Sequence, residues 1–163
     1  MLSKLILSAP LVLVLAVPQT QNGNSKPMDA APGQVKLPAT PPVKMGLWES
    51  TATNGRGASY KTRSCFTNES YQTEMAKMPP GCTISNQAWT SHSFTADVAC
   101  TMREATSTGH VDVQFPDTAT IHTTINISMT AQGQTIPISF TTDSHFVSSD
   151  CGDIPGGESR PVR

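Results

Sequence analysis

The sequence predicts a mainly β domain: an antiparallel β-meander of about seven strands, curled or barrel-like, with one short helix over about residues 68–78. Three observations predict it. From Ile121 to Met129 the odd positions are apolar or small and the even positions polar, and after Gln132-Gly133 the alternation resumes with Ile136, Ile138 and Phe140 on the apolar side. Folding Thr118 to Val147 about a two-residue turn at Gln132-Gly133 pairs Met129 with Ile136, Ile127 with Ile138, Ile125 with Phe140 and Ala119 with Phe146. Every apolar residue then falls on one face. The second observation is that Cys82 and Cys100 stand symmetrically about Thr90-Ser91-His92, a register that sets Ile84 against Val98, Asn86 against Ala96 and Ala88 against Phe94. The third is Asn54-Gly55-Arg56-Gly57, whose Asn and Gly tolerate the positive φ of a tight hairpin.

In chain order, Met1 to Val17 reads as an export signal, with Lys4 before a short apolar run that Pro10 interrupts. Residues 18–44 are rich in Pro, Gln and Asn, and are expected to form a disordered linker that buries too little surface to offset its ordering entropy. The β domain is expected over residues 45–152. Its first hairpin is Lys44 to Thr51 returning through Ala58 to Thr67. Thr67-Asn68-Glu69-Ser70 then starts the helix, with Tyr71, Met75 and Met78 on one side and Pro79-Pro80-Gly81 as its stop. After the cysteine hairpin, His110 to Phe115 forms a strand with Val111, Val113 and Phe115 inward. Pro116-Asp117-Thr118 leads into the long hairpin, every connection being local. Pro137 cannot donate to a ladder and marks an edge or a bulge. Residues 153–163 are expected to be a flexible tail.

The four cysteines, Cys65, Cys82, Cys100 and Cys151, follow an export signal and are not close pairs, which favours disulfides over zinc. Directly opposed on neighbouring strands, Cys82 and Cys100 suit one bridge, leaving Cys65 for Cys151.

Charge excludes some functions. The formal net charge is −1, and about −2 once the leader and its lysine are removed. That field is too weak for nucleic acid, and no basic cluster is present to neutralise phosphates. No stable membrane insertion is expected after signal cleavage. His122 should face Asp143 and His145 should face Thr120, but no nucleophile accompanies them. No catalytic residue, metal site or cofactor can be named, and enzyme activity is not expected.

Gly46-Leu47-Trp48-Glu49, Cys65-Phe66-Thr67, Cys82, Cys100 and Asp150-Cys151-Gly152 together resemble the domain of unknown function 3617 family of exported bacterial proteins, from about Met45 to Gly152. Asn68 departs from the proline expected there. The resemblance implies a periplasmic or secreted, disulfide-bonded β domain and assigns no catalytic residues. Two functions then fit the residues. One is a binding module for a small apolar or amphipathic ligand in the concave face, lined by Trp48, Tyr71, Ile125, Ile127, Ile138 and Phe140. The other is an envelope protein that meets a partner through its threonine-rich outer face or an edge strand.

Overall fold

The structure, a computed structural model, describes residues 34–73 and 78–162. Eight antiparallel strands form one open sheet: β1 (Gly46–Asn54), β2 (Ser59–Phe66), β3 (Cys82–Trp89), β4 (Ser93–Met102), β5 (Ala105–Asp117), β6 (Thr120–Ala131), β7 (Gln134–Ser148) and β8 (Ser159–Pro161). Their spatial order is β3-β4-β5-β6-β7-β1-β2-β8, so β3 and β8 are edges and the sheet does not close.

The long hairpin has the expected register. Ile125 faces Phe140, Ile127 faces Ile138 and Met129 faces Ile136, while the Phe146 N–H donates to the Ala119 carbonyl at 2.9 Å. Gln132 (φ 50°) and Gly133 (φ 76°) make the two-residue turn, both left-handed as a twist-matched hairpin turn requires. β1 ends at Asn54, opposite Phe140, so at Pro137 strand β7 is flanked by β6 alone. The missing N–H therefore sits on a local edge.

Several expectations change. The cysteine hairpin keeps its register only as far as Ser85, opposite Asp97. A bulge at Asn86 (φ 50°) and Gln87 inserts one residue, so Ala88 faces Thr95 and Trp89 faces Phe94. A one-residue slip exchanges the two faces of a strand; here it turns Trp89 inward in place of Ala88. The connections are not all local either. β1 docks antiparallel on β7, and the chain from β2 to β3 passes from one side of the sheet to the opposite edge.

That crossing carries the helix α1, described over Asn68–Thr73. Thr67 and Ser70 cap it reciprocally: the Ser70 N–H donates to Thr67 Oγ1 at 3.0 Å and the Thr67 N–H to Ser70 Oγ at 2.9 Å. Tyr71 is buried on the concave side, Met78 is half-buried and lies outside the helix, and Met75 lies outside the described residues.

Both disulfides join the expected pairs, Cys65–Cys151 and Cys82–Cys100, leaving no free cysteine. The C-terminal residues are tied down: Ile154 is buried, the Gly157 N–H donates to the Cys65 carbonyl, and β8 pairs with β2. Segment 34–44, part of the stretch read as linker, crosses the concave face. Its Val35 and Val43 pack with Ile84, Trp89, Val113 and Ile121 around the buried Phe94, Ala96 and Phe115. The expected export signal, residues 1–17, lies outside the described residues. Among the described residues no helix is long and apolar enough to cross a membrane.

Candidate ligand cleft

The concave face is built by the inward rows of β3 to β7 and roofed by residues 34–45 and α1. Between roof and floor lies a cleft of about 310 Å³, at the small end of the range for ligand pockets of ~300–1,000 Å³. Val35, Leu37, Val43 and Met45 line it from the roof, Tyr71 from the helix, and Trp89, Phe94, Val113, Phe115 and Ile121 from the sheet. The lining is almost wholly apolar. Its polar side chains besides Tyr71 are Thr123 and Ser144, and the Ser144 hydroxyl bonds that of Ser50 at 2.8 Å.

The aromatic wall is made by the bulge. With Trp89 turned inward, its ring lies 4.3 Å from that of Phe94 and stacks on Phe115 at 6.1 Å. The Trp89 indole N–H is buried and has no acceptor among the described residues. An unmet buried donor costs about 1–3 kcal/mol.

The roof is held in a distinctive way. The side-chain amide of Gln87, the other bulge residue, accepts from the Lys36 N–H and donates to the Gln34 carbonyl, both at 2.8 Å. The Tyr71 hydroxyl donates to the Pro38 carbonyl at 3.2 Å, the Lys44 N–H to the Thr118 carbonyl at 2.8 Å, and the Trp48 indole to the Lys44 carbonyl at 3.0 Å. All five bonds use main-chain atoms of the roof.

Burial holds the Tyr71 hydroxyl above the ordinary tyrosine value by desolvating its anion. A raised folded value means that this stabilisation is complete below the unfolded tyrosine value near 10 and is lost as pH rises through the folded one. Tyr71→Phe should cost about 0.5–1.5 kcal/mol at neutral pH and flatten the alkaline loss of stability. Urea unfolding of both proteins between pH 8 and 11 checks this, and an unchanged alkaline slope would place the titration elsewhere.

The six residues expected to line one site are divided. Tyr71 lines the cleft. Trp48 is fully buried beside it, against Phe66 and Phe146, and is core. Ile127, Ile138 and Phe140 line a different, shallower depression of about 860 Å³ at the far end of the long hairpin, with Asn54, Arg56 and His110. Ile125 is half-buried between the two and lines neither. Gly109, opposite Ile127, leaves no room for a side chain: a Cβ there would lie 2.8 Å from Ile127 Cγ1.

On the outer face His122 Nδ1 meets Asp143 Oδ1 at 2.6 Å, as the register requires, and both side chains are exposed. A second pair, His110 with Asp97 at 2.7 Å, joins β5 to β4. The Asn86 amide, donating at 2.7 Å, is the first cause that holds the Asp97 carboxyl below its usual range, and His110 is the second. Among the described residues no group of three His, Cys, Asp or Glu gathers as a metal site.

A family model described as Protein of unknown function (DUF3617) matches residues 43–151. No curated protein and no solved structure matches the chain.

Proposed function

For a chain that belongs to the DUF3617 family of unknown function, we propose a non-catalytic binding module that holds a small apolar or amphipathic ligand between the concave sheet and its roof. One observation carries this: an apolar cleft lies between the sheet and a segment that crosses it, lined by aromatic and aliphatic side chains from both. A domain whose roof served only to complete a core would fill that space, because interiors pack to crystal-like density. The two disulfides fit an oxidising, extracytoplasmic setting, and we place the protein in the periplasm or outside the cell. The outer face supports a partner-binding role less well. Its His122–Asp143, Asn126–Ser139 and Thr130–Thr135 pairs use their hydrogen-bonding groups on one another.

Titration with a fluorescent naphthalene sulfonate tests the proposal. One probe should bind per chain, and Val113→Trp, which fills the cleft, should abolish binding while the melting temperature stays within a few degrees. Equal binding by wild type and Val113→Trp, or no binding by either, would refute it.

A further inference from the structure

The roof, residues 34–45, is seated as a bound peptide would be. Over Gln34 to Leu37 its exposure alternates, with Gln34 and Lys36 outward and Val35 and Leu37 inward, the pattern of an extended chain laid on an apolar surface, before bends at 39–40 and 42–43. Every hydrogen bond described between this segment and its seat goes to the segment's main chain: the Gln34, Pro38 and Lys44 carbonyls and the Lys36 and Lys44 N–H groups. Gln87 plays the part of a neighbouring strand. Its amide offers one acceptor and one donor to alternate residues of the roof, as a β-ladder does, and the bulge at Asn86 directs it inward.

A site that reads main chain through fixed donors and acceptors, and side chains through an apolar trough, is indifferent to most of the sequence it holds. The Trp89 indole N–H adds a donor in the same wall that the roof leaves without an acceptor. We infer that this trough is a docking groove for an extended peptide with apolar residues at alternate positions, and that residues 34–45 are its resident occupant in cis. A partner segment would displace the roof, repeat its main-chain bonds through Gln87 and Tyr71, and offer a carbonyl to Trp89. The inference does not rest on small-ligand binding in the cleft, since it concerns the seat of the roof itself.

The cis occupant competes at a high effective concentration, so the groove of the native chain is mostly closed to a free peptide. A labelled synthetic peptide of residues 33–45 is the probe, and fluorescence anisotropy on the full oxidised chain is the readout. Val35→Asp/Leu37→Asp in the protein should loosen the roof and leave the groove intact, so the peptide should bind this variant at least about tenfold tighter than it binds wild type. The same peptide N-methylated at the Lys36 nitrogen, unable to donate to Gln87, should lose most of that affinity. Equal affinity of the two peptides overturns main-chain reading, and no binding to a folded double variant overturns the groove.

Should the double variant not fold, hydrogen exchange in the wild-type chain decides. Excess peptide should speed exchange at the Lys36 amide, because it takes the groove whenever the roof is out. An unchanged rate overturns the inference. The Val113→Trp probe titration with naphthalene sulfonate is scored separately, so failure of one idea is distinguishable from failure of the other.

Discussion

Trp48→Ala is expected to lower the stability of the oxidised domain by about 3–5 kcal/mol, the largest effect of any single substitution considered. Trp48 is fully buried. Its ring lies 5.9 Å from Phe66 and 6.0 Å from Phe146, so one side chain joins β1, β2 and β7. Its indole N–H also satisfies the Lys44 carbonyl, where the roof enters β1. Truncation would open a cavity and orphan that carbonyl together, and the loss is comparable with much of the 5–15 kcal/mol that a typical domain possesses. Urea unfolding at fixed pH checks it, with Trp48→Phe restoring most of the packing. A loss below about 1 kcal/mol would show that Trp48 is not the keystone of this half of the core.

The second large effect is removal of the Cys65–Cys151 bridge. It spans 86 residues, against 18 for Cys82–Cys100. Restricting the unfolded chain is worth roughly 4–5 kcal/mol for the long loop and roughly 3 for the short one. The long bridge also fastens the chain end whose residues bond to Cys65: the Cys65 N–H donates to the Glu158 carbonyl, and the Gly157 N–H to the Cys65 carbonyl. Cys65→Ala/Cys151→Ala should therefore destabilise more than Cys82→Ala/Cys100→Ala, and should also free β8 to exchange its amides. Calorimetry of the two double variants decides. A larger loss from the short bridge would contradict the loop argument.

How much of this was legible from the residues depends on where two signals coincide. In the long hairpin the alternation and the turn residues Gln132-Gly133 demand one register, and the structure has it to the residue. His122 opposite Asp143 follows from that register alone. In the cysteine hairpin the symmetry of Cys82 and Cys100 sets the register near the bridge, but nothing beyond Ser85 enforces it, and Asn86 breaks it. An asparagine at positive φ costs little, so no residue type announces the bulge. Its consequence is large, because the slip brings Trp89 inward and Gln87 to the roof.

The roof is hidden for a different reason. Pro38, Pro41 and Pro42 give its surroundings the composition of a linker, and the alternation of Val35 and Leu37 is too brief to outweigh them. An extended segment held by side chains of distant elements needs no strand propensity of its own. The docking of β1 on β7 is likewise invisible locally, because alternation says which face is inward and not which strand lies alongside. These omissions explain why five residues of the expected lining, Trp48, Ile125, Ile127, Ile138 and Phe140, fall outside the cleft.

The most direct test of the central claim, that the cleft holds an apolar or amphipathic ligand, is a native mass spectrum of the protein recovered from a bacterial envelope after expression with its own N-terminal residues 1–33. A polypeptide mass four hydrogens below the reduced value is expected from the two disulfides. An additional noncovalent mass is also expected, lost on denaturation and absent from Val113→Trp prepared in the same way. A bare wild-type chain that also fails to take up the naphthalene sulfonate, or an adduct retained by Val113→Trp, would contradict it.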